Sequence, residues 1–229
     1  MDGVALRLAH GDTLSRRPDV SWLAVGERAR LASLGSDRRR QDFLAGRWLL
    51  RLTLSEWVGG EPGEQRVDID ADGRTLCEPG LFANLSHSGD WLACVVADTP
   101  VGVDIERASR PRGDLAGVAA MVHGPAQCAE LVGVPGPQRL RRFYELWTLK
   151  EAALKRAGLG LDFARMQAME FRPDPAGDAL SLMHEEAGLT LAVLAAREMK
   201  TPALPAGVRL VERLRLVEKG DPQSTPKSK

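Results

Sequence analysis

The sequence predicts an α+β fold in which each half of the chain packs helices beside a small sheet. Two segments of helical spacing, residues 37–57 and 137–157, lie on opposite sides of Pro100. Short apolar runs of strand length, such as 91–97, also occur in both halves. We therefore expect an N-terminal subdomain over residues 1–100, a C-terminal subdomain over 101–218 and a disordered polar tail over 219–229.

The N-terminal half is predicted to contain two consecutive helices. Residues 27–34 have helical spacing, and a longer helix is expected to start after the N-cap candidate Ser36 and to reach about Trp57. The pair Gly59-Gly60 then ends this helix, because glycine accepts the backbone conformations that close a helix. A short strand is expected at 67–70.

Polar turns punctuate the rest of that half. Asp72-Gly73 predicts a turn after the short strand. The runs 91–97 and 101–105 are strand-like, and Asp98-Thr99-Pro100 separates them. We expect these two runs to form an antiparallel hairpin.

The C-terminal half is predicted to be helical first and then mainly strand. A helical pattern over 114–131 is interrupted at His123-Gly124-Pro125, and the strongest helix of the chain, 137–157, ends at Gly158. Strands are expected after it, over residues 166–171, 179–184, 190–196 and 208–217.

The bulk composition indicates a soluble protein of a reducing compartment. Lys plus Arg and Asp plus Glu are both 31, so no global basic field recruits nucleic acid. The three cysteines show no CxxC spacing, which argues against a zinc site or a disulfide framework. The start of the chain lacks a signal-peptide pattern, and the longest apolar run, 91–97, is too short to cross a membrane. We expect a cytoplasmic protein without membrane or nucleic-acid partners.

A pair of carboxylates lies on the strand-like segment after Pro100. Side chains alternate along a strand, so Asp104 and Glu106 point to one face while Val103 and Ile105 point to the other. Two carboxylates about 7 Å apart repel each other unless a cation sits between them, and Mg²⁺ prefers such oxygen ligands. A solvated strand face with two surface acids is the alternative.

The strongest helix carries a further acid and a lysine on one face. Glu151 and Lys155 are four residues apart and are neighbours on the helix surface. They form either an ordinary surface ion pair or a third metal carboxylate followed, one turn later, by a lysine that binds phosphate.

A polar turn is expected over residues 82–91, leading into the apolar run 91–97. In it His87 lies between Ser86 and Ser88, and Gly89 follows. Hydroxyl groups, backbone amides and an imidazole can together hold phosphate oxygens. A capped turn with a partly exposed histidine is the alternative.

These three pieces together resemble the 4′-phosphopantetheinyl transferase superfamily, in its larger surfactin-synthetase-activating type. The family pattern is an Asn/Ser/His/Ser segment, a G-[IV]-D-[IVL]-E strand and a W-x-x-K-E-[AS]-x-x-K helix. Here they correspond to residues 84–89, 102–106 and 147–155. Each piece is weak alone, but all three in this order are specific, and the match spans roughly residues 38–161.

The resemblance implies two similar α/β halves related by a pseudo-twofold axis, with coenzyme A in the cleft between them. It implies the activity of a holo-acyl-carrier-protein synthase, which moves the phosphopantetheine arm of coenzyme A to a serine of an apo acyl, polyketide or peptidyl carrier protein. It also implies Mg²⁺ as the cofactor, with Mn²⁺ as an alternative ion. At 229 residues the chain is about long enough for both halves of the cleft, so a monomer is expected.

The resemblance also assigns roles to individual residues. Lys155 would contact the pyrophosphate, and His87 with Ser86 would hold phosphate groups at the nucleotide end. Arg47 and Arg74 resemble positions that bind the 3′-phosphate and the adenine region. Arg38, Arg39 and Arg40 either add to this phosphate site or solvate a helix, and we expect solvation for at least two of them. The implied metal ligands are Asp104, Glu106 and Glu151.

The attacking serine comes from the carrier, so it needs a base on this chain. Glu151 is the candidate base, with Lys155 and His87 as the other candidate catalytic residues. Two other functions use the same features. The first is a magnesium-dependent phosphohydrolase acting on a nucleotide or coenzyme A, and the second is a non-catalytic module that binds coenzyme A or a carrier protein.

Overall fold

The computed structural model describes residues 3–14, 19–71, 73–108 and 114–218 of the 229-residue chain. Within those ranges the chain forms helices and antiparallel sheets, which confirms the predicted α+β class. The helices are α1 (Val25–Ser33), α2 (Asp37–Val58), α3 (Leu115–Val122), α4 (Pro125–Gly133), α5 (Gly136–Arg156) and α6 (Phe163–Ala168). The strands are β1 (Val4–His10), β2 (Asp68–Ile69), β3 (Thr75–Leu76), β4 (Phe82–Ser88), β5 (Trp91–Ala97), β6 (Val101–Arg107), β7 (Met169–Pro173), β8 (Ala179–His184), β9 (Leu189–Ala195) and β10 (Val208–Glu218).

Two sheets form the centre of the molecule. The first has the order β1-β5-β4 and the second the order β6-β9-β8-β10-β7, while β2 and β3 make a small separate ribbon. All strands of the first sheet precede Pro100 and all strands of the second follow it. The subdomain boundary at residue 100 and the pseudo-twofold relation stay predictions.

The uninterrupted apolar sequence of strand β5 follows from its position between two layers. Ala93 and Val95 lie in the core that the two sheets share, together with Val103 from β6. The alternate residues Cys94 and Val96 face the other way and pack with leucines of α2. Because both faces of β5 are covered, every position from 92 to 97 is buried.

Helix α5 covers the second sheet on its other side. Its apolar residues Leu146, Leu149 and Ala153 share a core with Ala192 and Leu194 of β9. The layers therefore follow the order α2, first sheet, second sheet, α5. This order places α5 directly against β6.

Several predicted boundaries are confirmed. The hydroxyl of Ser36 caps α2 by accepting a hydrogen bond from the backbone N–H of Arg39, 3.3 Å away. Gly59 ends the same helix with a φ of 83°. The break between α3 and α4 falls at His123 and Gly124.

The predicted hairpin between residues 91–97 and 101–105 is wrong. β5 pairs with β1 and β4, so both of its edges are occupied, and β6 pairs with β9 of the other sheet. The segment Asp98-Thr99-Pro100 therefore carries the chain from one sheet to the other.

Two other expectations need correction, and one strand was missed. Residues 82–88, expected as a polar turn, form strand β4 in register with β5, and the turn is confined to Gly89 and Asp90. The strand expected at 166–171 begins only at Met169, because Asp162 caps the short helix α6 before it. Strand β1 was not predicted.

Asp72 and the tail 219–229 lie outside the described residues. Across the described ranges no helix has both the length and the apolar character needed to span a membrane.

Candidate active site

A glycine on β6 sets how closely α5 approaches the second sheet. A Cβ atom added at Gly102 would clash with the carbonyl oxygen of Ala152 and would lie 2.6 Å from the backbone nitrogen of Arg156. Only glycine allows this contact between helix and strand. Since Glu151 and Lys155 are the chain neighbours of Ala152 and Arg156, the contact brings them to the strand that carries Asp104.

Lys155, Asp104 and Ser86 form a hydrogen-bonded cluster that joins α5, β6 and β4. The Nζ atom of Lys155 lies 2.6 Å from Oδ1 of Asp104 and 2.9 Å from the hydroxyl of Ser86. That hydroxyl donates to the same Oδ1 over 2.7 Å. Three predicted site residues, far apart in sequence, thus share one set of contacts.

The carboxylate of Asp104 is buried but only half satisfied. Asp104 is 3% exposed, and its Oδ2 atom has no hydrogen-bond partner among the described residues. A buried carboxylate oxygen without a partner is costly, so a water, ligand or ion that reached Oδ2 would stabilise the site.

Glu151 and Glu106 lie at the edge of this cluster. Oε2 of Glu151 is 3.9 Å from the Lys155 ammonium, and Oε2 of Glu106 accepts a 2.8 Å hydrogen bond from the hydroxyl of Ser88. The Lys155 ammonium therefore sits between two of the three predicted metal carboxylates.

The predicted metal ligands fit Mg²⁺ by donor type. All are carboxylates, and the unpartnered Oδ2 of Asp104 offers one buried oxygen. In the part of the chain that the structure describes, however, no three side chains of His, Cys, Asp or Glu are gathered closely enough to hold an ion.

A large cleft opens beside the cluster. Its volume is about 1700 Å³, and it lies between α2, β4 and the end of α5. Residues predicted to bind coenzyme A line it, namely Arg47, Arg74, Ser86, His87 and Lys155.

The described wall of the cleft is strongly cationic. Arg30, Arg39 and Arg156 line it in addition to Arg47, Arg74 and Lys155, whereas the acidic residues that line it are Asp42 and Asp70. An excess of positive charge in a concave surface focuses the field on an anionic ligand.

The turn of the β2–β3 ribbon and the C-terminal end of α5 approach each other at this cleft. Arg74 follows the turn at Gly73, and its Nε atom lies 3.7 Å from where a Cβ atom of Gly158 would be. His87 is exposed and lies on the opposite face of β4 from the buried Ser86. The cleft thus receives side chains from both halves of the chain.

Arg47 reaches the cleft from a buried position. Its Nε donates to Glu27, its Nη1 donates to the hydroxyl of Thr75 over 2.9 Å, and its Nη2 donates to the carbonyl of Asp68. Arg51 donates to both oxygens of Glu27 and completes a buried triad. Burial lowers the pKa of Arg47 from its ordinary value, although Glu27 opposes this shift.

Arg30 and Arg39 had no definite role in the prediction from sequence. Among Arg38, Arg39 and Arg40 it favoured solvation for at least two. In the structure Arg38 pairs with Asp42 and Asp90, and Arg40 donates to the carbonyl of Leu34. The side chains of Arg30 and Arg39 make no ion pair or hydrogen bond within the described ranges, and both line the cleft. Arg39 lies about two helical turns before Gly46 on the same face of α2, which is the signal that could have identified it, whereas Arg30 lies on α1 and has no such local signal.

Known proteins match the part of the chain that carries this cluster. Residues 100–197 match the family model described as the 4′-phosphopantetheinyl transferase superfamily. The 4′-phosphopantetheinyl transferase HetI of Nostoc sp. is 34% identical over 162 residues, covering 68% of this chain and 67% of the relative. The 4′-phosphopantetheinyl transferase AcpT of Salmonella typhimurium is 37% identical over 145 residues, covering 61% of this chain and 71% of the relative. A 4′-phosphopantetheinyl transferase of Bacillus subtilis is 28% identical over 153 residues, covering 61% and 67%.

Proposed function

The chain belongs to the 4′-phosphopantetheinyl transferase superfamily, and from this membership we propose that it moves the phosphopantetheine arm of coenzyme A onto a serine of an apo carrier protein. The leaving product is 3′,5′-ADP. The observation that carries the proposal is the Lys155–Asp104–Ser86 cluster on the wall of a cationic cleft. It supports a reaction in which negative charge develops on phosphate oxygens.

The cleft suits coenzyme A in size and charge. Its volume of about 1700 Å³ exceeds the range of roughly 300–1,000 Å³ that is usual for small-ligand pockets. Coenzyme A is long and carries a pyrophosphate and a 3′-phosphate. We assign Arg30, Arg39 and Arg74 to the phosphate groups of the nucleotide end, with Arg47 held behind them by Glu27. His87 would add a contact from the opposite face of β4 to Ser86, since both residues line the cleft.

Lys155 is the residue proposed to contact the pyrophosphate. Its side chain is 26% exposed and lines the cleft, so its ammonium can donate to a phosphate oxygen there. A donor fixed beside the oxygen where charge develops lowers the barrier of the transfer step. The contacts with Asp104 and Ser86 hold this ammonium at the cleft wall in advance.

Glu151 is the proposed base for the serine of the carrier. Its side chain is 23% exposed, which leaves it open to a hydroxyl from outside, and its Oε2 lies 3.9 Å from Lys155. It would take the proton while the oxygen of the serine attacks the β-phosphorus. Asp104, Glu106 and Glu151 would hold Mg²⁺, or Mn²⁺ as an alternative, at this point. When bound, such an ion supplies positive charge that offsets the charge on the phosphate oxygens.

The finer assignments belong to the same proposal. One chain supplies side chains to the cleft from both halves, which supports action as a monomer. Cys77, Cys94 and Cys128 are free thiols, which supports a cytoplasmic location. Holo-acyl-carrier-protein synthase activity is the specific reaction proposed, with an acyl, polyketide or peptidyl carrier as the acceptor.

The mass of a carrier protein tests the proposal. A panel of apo acyl, polyketide and peptidyl carriers is incubated with the protein, coenzyme A and Mg²⁺. At least one carrier should gain a single phosphopantetheine arm, and a matched carrier whose acceptor serine is replaced by alanine should gain none. Release of 3′,5′-ADP without any carrier, together with unchanged carrier masses, would instead indicate a phosphohydrolase.

A further inference from the structure

Strands β4 and β6 are both edge strands, and they face each other. β4 ends the order of the first sheet and β6 begins that of the second. Within the described residues β6 pairs through its backbone with β9 alone. The backbone N–H groups on the other edge of β6 therefore need hydrogen-bond partners other than a neighbouring strand, because unpaired buried amides are costly.

Alternate polar side chains of β4 supply those partners. The backbone N–H of Val103 donates to Oδ1 of Asn84 over 3.1 Å, and the backbone N–H of Arg107 donates to the hydroxyl of Ser88 over 3.1 Å. Asn84 and Ser88 are four residues apart on one face of β4, just as the two amides are four apart on one edge of β6. A ladder of side chains thus fixes the register of β6 against the first sheet.

The same ladder holds the carboxylates. Between its two ends, Ser86 donates to Asp104 over 2.7 Å, and at one end Ser88 donates to Oε2 of Glu106 over 2.8 Å. Ser88 therefore binds the backbone and the acidic side chain of β6 at once. Ser88 is not among the residues that line the cleft, so it has no direct route to a ligand bound there.

We propose that Ser88 is a positioning residue for the transfer reaction, which fixes the Glu106 carboxylate on the face of β6 that carries Asp104, while Asn84 holds the other end of the strand. This role rests on the proposed function, in which Glu106 is a metal ligand. Residues that orient a ligand carboxylate through a hydrogen bond typically change metal affinity or activity about 10- to 100-fold when they are replaced.

The experiment compares Ser88→Ala with Ser88→Thr, which keeps the hydroxyl. Two concentrations are measured. The first is the Mn²⁺ concentration that half-saturates the complex of protein and coenzyme A without carrier, followed by electron paramagnetic resonance. The second is the Mg²⁺ concentration for half-maximal transfer. Ser88→Ala should raise both concentrations about tenfold or more, and Ser88→Thr should restore them. The KM for coenzyme A should stay unchanged. Ser55→Ala is the matched control, because among the described residues the Ser55 hydroxyl bonds only to the Leu52 carbonyl within α2.

A merely structural role gives a different result. It would lower the melting temperature of Ser88→Ala and leave both metal concentrations unchanged, and that outcome overturns the proposal. If Ser88→Ala does not fold, Ser88→Cys replaces it: this side chain has similar size and is a weak donor, so it should give a smaller shift in the same direction, and no shift overturns the proposal. An unmodified protein that transfers to no carrier would refute the proposed function, whereas normal transfer with unshifted variants refutes only the role of Ser88.

Discussion

Two charged clusters of this protein use similar groups in opposite ways. In the triad of Glu27, Arg47 and Arg51, each residue is at most 3% exposed, and both carboxylate oxygens of Glu27 accept hydrogen bonds from arginine. In the cluster of Asp104 and Lys155, one carboxylate oxygen has no partner among the described residues and the lysine side chain is 26% exposed.

The difference separates a cluster that stabilises the fold from one that is available for chemistry. Burial alone would raise the pKa of Glu27, but the hydrogen bonds from Arg51 and the charge of Arg47 outweigh it and hold the pKa below its ordinary value. Such a sealed, paired carboxylate gains nothing from a ligand. Asp104 keeps an unsatisfied buried oxygen next to a lysine that lines the cleft, and we therefore propose this cluster as the reacting site.

The largest change in the free energy of unfolding is expected when the triad of Glu27, Arg47 and Arg51 is broken. Glu27→Ala leaves two buried guanidinium groups without their carboxylate, which should lower the free energy of unfolding by about 3–5 kcal/mol. Urea denaturation measures it. Glu61→Ala, at an exposed glutamate, is the control and should change the value by less than about 0.5 kcal/mol. Equal stability of the two variants would show that the triad contributes nothing.

The cluster of Asp104 and Lys155 is called the open cluster here, and removal of its lysine charge should affect turnover more than stability. Lys155→Met should reduce the rate of transfer about 100-fold or more, because the donor proposed for the phosphate oxygens is lost. The free energy of unfolding should fall less than in Glu27→Ala, because Lys155 is 26% exposed and the Ser86 hydroxyl still donates to Asp104 in the variant. Lys200→Met, at an exposed lysine, serves as the control for both measurements. A stable variant with normal transfer would remove Lys155 from the site.

A buried histidine shows what happens to an ionisable group that has no counter-charge. His123 is 2% exposed, neither ring nitrogen has a hydrogen-bond partner within the described residues, and its ring packs on Phe143. Burial, with the positive charges of Lys150 and Arg142, lowers the pKa of His123 to about 3. Below the ordinary pKa of about 6.5 the histidine of the unfolded chain binds a proton, but His123 in the folded chain does not. The free energy of unfolding therefore falls as the pH falls from 6.5 towards 3.

The size of this pH effect can be measured by difference. At pH 5 the loss that His123 causes should be about 2 kcal/mol, and His123→Leu should abolish it. Urea denaturation of both proteins at pH 7 and pH 5 gives the value, since the contributions of other groups cancel in the difference. If the two proteins lose the same stability between these pH values, His123 is not buried in its neutral form.

The sequence predicted elements whose signals are local. Strand β8 and the cap of α2 at Ser36 follow from patterns within a few residues. Strand β4 did not, because Asn84, Ser86 and Ser88 have low strand propensity, and only their contacts with β6 make them suitable there. The hairpin prediction was wrong for a related reason, since the partners of β5 lie elsewhere in the chain.

The candidate site was predicted by residue type and not by contact. The pattern identified Asp104 and Lys155 as functional, yet their 2.6 Å contact depends on the packing of α5 over Gly102, across 51 residues of sequence. The triad was missed for the same reason. Arg47 and Arg51 lie one turn apart among leucines of α2, which is the signal for buried cations, but only the fold shows that Glu27 joins them.

The rate at which an apo carrier protein gains its arm from Asp104→Asn tests the central claim most directly. Asparagine keeps the shape of the side chain and removes its charge. At saturating coenzyme A and Mg²⁺, mass spectrometry should show transfer slowed by about 10²–10³-fold, while thermal unfolding shows that the variant is folded. A folded Asp104→Asn protein with the turnover of the unmodified enzyme would contradict the assignment of the open cluster as the reacting site.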